Sequence, residues 1–99
     1  MVKKQDAVKF LSNGPSDRMF WVHDGHSFSN IEGLANELHS MDDKTFKYHS
    51  NKEKKDFSNW VSEVIGDKKL ASDIMKAKNR ISAYKKVQAR VASLKKAAK

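Results

Sequence analysis

Cysteine is absent from this 99-residue chain. No disulfide or thiolate metal site can therefore hold it together, and a reducing cytoplasm is its natural setting. Proline occurs once and glycine four times, so little interrupts helix formation over long stretches. No apolar run approaches the ~20 residues that a membrane-spanning helix needs. The N-terminal MVKKQDAVKFLSNGPSD also lacks an apolar run of signal-peptide length. The expectation is a soluble, cytoplasmic protein with no membrane partner. One absence is regional: residues 76–99 contain no Asp or Glu, yet hold nine lysines and arginines.

That regional absence accounts for the whole charge imbalance. The chain carries a formal net charge of +8, whereas residues 1–75 come to −1. Such a pattern fits a basic helix attached to a near-neutral domain. A chain this short supports one hydrophobic core. The reading divides it into a loosely ordered segment at 1–17, a compact domain at 18–78 and a basic C-terminal helix at 79–99.

The densest apolar stretch is Lys44 to Leu70. Within it Phe57, Trp60, Val61, Val64 and Ile65 follow the i, i+3, i+4, i+7, i+8 spacing of one buried helical face. Asp56 or Ser58 is placed to cap that helix, Gly66 to stop it in a left-handed turn, and Asp67 to cap the next. The following helix, from Lys68 to about Ala77, turns Leu70, Ala71, Ile74 and Met75 inward. Upstream, Arg18 to Ser29 reads as a β-hairpin with a two-residue type I′ turn at Asp24-Gly25. Phe20, Val22 and Phe28 share its buried face, and Trp21 points away. Ser29 and Glu32 fit a capping box that opens a helix carrying Ile31, Leu34, Ala35, Leu38 and Met41. Thr45 to His49 is too short for periodicity to choose helix or strand. The predicted fold is α+β and predominantly helical, one N-terminal β-hairpin packed by four to five helices. Its core includes Phe46 and Trp60.

The pattern Asp24-Gly25, Leu34, Glu37-Leu38, Phe46, His49, Asp56-Phe57, Trp60-Val61, Val64, Gly66-Asp67 and Leu70-Ala71 resembles a small uncharacterised domain family of archaea and candidate-phyla bacteria. The resemblance covers about residues 18–78, and the spacing of His49, Asp56-Phe57 and Trp60 is its most specific part. It implies a compact, mostly helical fold and no established activity. The basic tail lies outside it.

Chemistry-bearing constellations are few. His23 and His26 flank the turn as HDGH, but no second ligand pair is spaced to close a metal site with them or with His49. His49 with Asp56 is the one polar pair. It reads as a structural tie near an aromatic core, with acid–base chemistry as the lesser alternative. No Gly-rich phosphate loop, activated nucleophile or carboxylate cluster is visible. The expectation is no enzyme, no catalytic residue, no cofactor and no metal. Trp21, Tyr48 and Trp60 are the candidates for base stacking, with Trp60 the most core-like.

The tail carries the functional reading. Ordinary solvated helices mix signs and gain i, i+4 pairs; here Lys85, Lys86 and Arg90 find no acid within their own helix. The expectation is a small basic nucleic-acid-binding protein, chromatin-like or RNA- and ribosome-associated, that contacts backbone phosphates. The expected contacts are Lys78, Arg80, Lys85, Lys86, Arg90, Lys95, Lys96 and Lys99. The alternative is a protein-interaction or assembly module. In it the apolar seam Tyr84, Val87, Val91, Leu94 and Ala98 docks on a partner or on a second copy as a homodimer. Membrane association is weaker, because the tail has no Trp or Phe.

Overall fold

A computed structural model describes residues 2–99; Met1, the first residue of the expected 1–17 segment, lies outside the described residues. The chain is α+β and mostly helical, with six α-helices and one two-stranded antiparallel sheet among the described residues. The helices are α1 (Lys4–Leu11), α2 (Ile31–Ser40), α3 (Asp43–His49), α4 (Asp56–Trp60), α5 (Lys68–Lys76) and α6 (Arg80–Ala97). A π-helical turn, Val61–Ile65, continues α4. The strands are β1 (Phe20–Trp21) and β2 (Ser27–Phe28). Among the described residues no helix is long and apolar enough to cross a membrane.

The hairpin alternates as its sequence predicts. Phe20, Val22 and Phe28 are buried, while Trp21 is 68% exposed. Phe20 pairs with Phe28 and Trp21 with Ser27. Its turn differs from the expected one. The Gly25 N–H donates to the Val22 carbonyl at 2.9 Å, and the Val22 N–H donates to the His26 carbonyl at 2.8 Å. The loop therefore has three residues, His23, Asp24 and Gly25, of which only Gly25 has a positive φ, at 98°. A type I′ turn would force Asp24 into the left-handed region too, whereas a type I turn closed by a left-handed glycine spares it.

An aromatic stack fills the space under the hairpin. Phe20 stacks on Phe28 with centroids 4.9 Å apart and on Phe57 at 5.1 Å. Trp60 stands edge-on to Phe20 and Phe28, and its indole N–H donates to the Arg18 carbonyl at 2.8 Å. Helix α2 buries Ile31, Leu34, Ala35 and Leu38. It starts one residue later than a Ser29 capping box would place it. The Ser29 carbonyl accepts the Gly14 N–H at 2.7 Å, and Asn30 takes over as cap, accepting the Gly33 N–H at 2.8 Å.

Helix α4 begins without a side-chain cap, since neither Asp56 nor Ser58 lies at its N-cap position. Downstream, the Gly66 N–H reaches back five residues to the Val61 carbonyl. That wider turn keeps Val61 and Ile65 buried and rotates Val64, expected in the core, to a half-buried position. Gly66 then adopts φ 90°, and Asp67 caps α5 through the Leu70 N–H, both as expected. On α5 the inward residues are Leu70, Ala71 and Ile74. Met75 is 54% exposed, because it falls past the edge of that stripe.

The largest departure concerns α6. Ala83, Val87 and Leu94 are fully buried, with Val91 close behind, in the same core as Phe20 and Phe57. Helix α6 packs along α2 and also against α1 and α5. The seam offered to a second copy through Val87, Val91 and Leu94 is covered by the chain's own helices, and Tyr84 is half-buried against the same core. Nor is the N-terminal segment wholly loose: α1 buries Ala7, and Phe10 and Leu11 pack on the core. One core thus runs from Ala7 to Leu94, across the boundaries expected at 17 and 78. An apolar seam of this width needs a partner surface, and α1 and α2 supply it.

Deleting residues 79–99 should therefore abolish cooperative unfolding, and Leu94→Ala should cost about 2–5 kcal/mol. Circular dichroism melts check both. A truncated chain that keeps a sharp transition would show that α6 is an appendage.

Candidate nucleic-acid interface

Helix α6 forms because its sequence is Ala- and Lys-rich without Gly or Pro, and because Asn79 caps it by accepting the Ser82 N–H at 2.8 Å. Its 18 residues span about 27 Å at 1.5 Å each. Successive residues turn by about 100°. With Val87 and Leu94 inward, Lys85 and Lys96 lie on the opposite face. Lys86 and Arg90 flank the side toward α5, and Lys95 the side toward α2.

The two arginines serve the fold. Arg90 reaches Asp67 through both arms of its guanidinium, Nε to Oδ2 at 2.8 Å and Nη2 to Oδ1 at 3.0 Å. Asp67 is buried, and only 12% of the Arg90 side chain is exposed. The absence of an acid near Arg90 in sequence is corrected in space, since its partner stands 23 residues upstream. Arg80 donates from Nε to Asp43 at 2.9 Å and from Nη1 to the carbonyls of Leu38 and His39 at 2.8 and 3.0 Å. It satisfies the last carbonyls of α2 and ties α2 to α3.

The lysines are placed otherwise. Lys95 pairs with Glu32 of α2 at 2.9 Å, in a contact open to solvent on both sides and worth about 0–1 kcal/mol. Lys78, Lys85, Lys86, Lys96 and Lys99 are exposed and have no ion-pair partner among the described residues. An open groove of about 830 Å³ runs between α5 and α6, with Lys69, Lys85, Lys86, Ser82 and Ser93 in its walls. Lys69 lies outside the acid-free run, so a charge pattern read along the chain does not single it out, whereas the groove gathers charge from two helices. Its i, i+4 pair with Asp73 at 3.0 Å was the visible signal that this residue faces solvent.

The histidines do not converge. His49 is buried, and its Nε2 accepts the His23 backbone N–H at 2.9 Å, so its proton sits on Nδ1 and is donated to Asp56 at 3.0 Å. The ring thereby ties the hairpin to α3 and α4, the structural role that its place beside an aromatic core predicts. The His23 ring stacks on Tyr48 at 3.9 Å, and Lys54 Nζ sits 3.9 Å from the centroid of the same ring. Of the three stacking candidates Trp60 is buried and Tyr48 already has both His23 and Lys54 against its ring. Trp21 remains open. His26 joins Glu37 at 3.0 Å and lies 3.6 Å from Asp24.

No family model matches this chain, and no curated protein or solved structure matches it either.

The Glu37 carboxylate that accepts its hydrogen bond, with Asp24 beside it, holds the His26 pKa above its ordinary 6.5. The stabilisation is therefore full below the unfolded value and fades as pH rises through the folded one. His26→Gln should lose more stability at about pH 5.5 than at about pH 8.5. Denaturant melts at the two pH values check this, and an equal loss at both would contradict the ion pair.

Proposed function

We propose that this protein binds nucleic acid through backbone phosphates, with the exposed lysines of α6 and its approach as contacts, and that it is a binding protein and not an enzyme. Lys78, Lys85, Lys86, Lys96 and Lys99 are the direct contacts. Lys95 joins them by giving up its exposed pair with Glu32. Arg80 and Arg90 hold the helix that presents the others. The observation that carries the reading is the acid-free run of 76–99, combined with the six lysines there, Lys76 included, that have no ion-pair partner among the described residues when the arginines turn inward.

Lysine ammonium groups are mobile, strongly hydrated point charges, suited to phosphate but poor at the bidentate reading of base edges. The protein on this reading has little sequence preference, and both DNA packaging and RNA or ribosome association suit it. The resemblance of residues 18–78 to an uncharacterised domain family adds no activity to this reading.

Fluorescence anisotropy across a salt series tests it. With about three to five lysines engaged, log K against log salt for duplex DNA should have a slope of about −3 to −4.5. The Lys85→Gln, Lys86→Gln, Lys96→Gln triple variant should lose up to about 2.7 units of that slope and melt like the wild type. Absence of binding to DNA and RNA at low salt, or a triple variant with its slope intact, would sink the reading.

A further inference from the structure

We propose that the ligand is a single strand, held in a continuous basic track that passes from α3 across Asn79 and along the α5–α6 groove. This rests on the nucleic-acid reading above and goes further in naming the form of the ligand and a second half of the site. That second half is a cleft of about 460 Å³ between the C-terminal part of α3 and residues 78–80, walled by Lys47, Lys52, Lys78 and Arg80. None of α3's lysines belongs to the acid-free tail.

The concavities are neighbours that share lining residues. Asn79 lines both this cleft and the α5–α6 groove. Lys69, Arg90 and Ser93 line both that groove and its extension toward Lys96 and Val2. Six lysines with no ion-pair partner among the described residues follow the resulting path: Lys47, Lys52, Lys78, Lys85, Lys86 and Lys96. The two acids in the walls are both bound to wall cations, Asp43 to Arg80 at 2.9 Å and Asp73 to Lys69 at 3.0 Å. Asp67 lies buried against Arg90. Glu53 is exposed beside Lys52 but is not part of the cleft wall. The field along the path is therefore of one sign, and low-dielectric walls concentrate it.

Shape selects the form of the ligand. A duplex is a convex cylinder that can rest on the outer side of α6 along Lys85, Lys86, Lys96 and Lys99, but cannot turn from the cleft over Asn79 into a groove. A single strand bends at every nucleotide and can place successive phosphates along such a path. The one aromatic in the walls is Phe46, which is buried, so the bases find no stacking platform and their identity goes unread. An acidic peptide is the poorer fit, because peptide recognition relies on apolar anchors in pockets. Ile81 is the one exposed large apolar side chain in these walls among the described residues.

Oligothymidylates of increasing length, a DNA duplex and polyglutamate are the probes, read by anisotropy on the full chain. Wild-type affinity for single strands should climb with length and level off below about 16 nucleotides. The Lys47→Gln, Lys52→Gln variant should level off at a shorter length and lose about 1.4 units of single-strand salt slope, at ~0.7 per contact. Its duplex binding and thermal melt should be unchanged. Lys52→Glu should weaken single-strand binding further in the same direction. If the wild type binds no nucleic acid, the reading beneath the proposal fails with it. If it binds but the variants keep their length profile and slope, the track alone is overturned. Competition by polyglutamate as strong as that by an oligonucleotide of equal charge would overturn the choice of ligand.

Discussion

The buried pair between Asp67 and Arg90 fixes where everything near α6 sits. One carboxylate performs two tasks at a helix junction. Following the left-handed Gly66 that ends the π-helical turn, it accepts the Leu70 N–H that starts α5 and receives both arms of the Arg90 guanidinium. Burying such a pair costs hydration that only near-ideal geometry recovers, and removing one partner typically costs about 3–5 kcal/mol. The bidentate contact ties the middle of α6 to the start of α5. Given that placement, Val87, Val91 and Leu94 meet the core, and Lys85 and Lys96 have no direction left but outward.

Chemistry separates the two kinds of cation on this helix. Arginine is planar, weakly hydrated and forked, so Arg80 and Arg90 can be drawn into the structure and satisfied there. Lysine holds its water more tightly and stays at the surface. The acid-free run is real as a sequence, but three of its cations borrow acids from elsewhere: Arg90 from the cap of α5, Arg80 from α3 and Lys95 from α2. What remains unpaired among the described residues of this run is lysine alone, which suits the proposed loose contact with phosphate better than base reading.

Local signals were legible and long-range ones were not. Gly66 and Asp67 announced their roles because caps and left-handed turns are decided by adjacent residues. The alternation of Phe20, Trp21 and Val22 placed Trp21 outside for the same reason. Asp-Gly marked the hairpin loop but not its length, since a type I′ turn and a three-residue loop with a left-handed glycine both favour that dipeptide. Val64 went astray because nothing in VSEVI distinguishes a π-helical turn from an α-helical one. The seam of α6 reads identically whether the surface that covers it belongs to the same chain or to another, so its docking on α1 and α2 could not be foreseen. Lys47, Lys52 and Lys69 were hidden because folding, and not proximity in sequence, brings them beside the tail.

The central claim is that α6 keeps its arginines for the fold and offers its lysines to a polyanion. Titrating isotope-labelled protein with a single-stranded oligonucleotide, while following backbone amides and arginine Nε–H signals by NMR, tests it most directly. The account predicts shifts at Lys85, Lys86 and Lys96, accompanied by Lys47 and Lys52, with the Arg90 Nε–H signal unmoved. Loss or displacement of that arginine signal on binding, or shifts confined to the hairpin around Trp21, would contradict it.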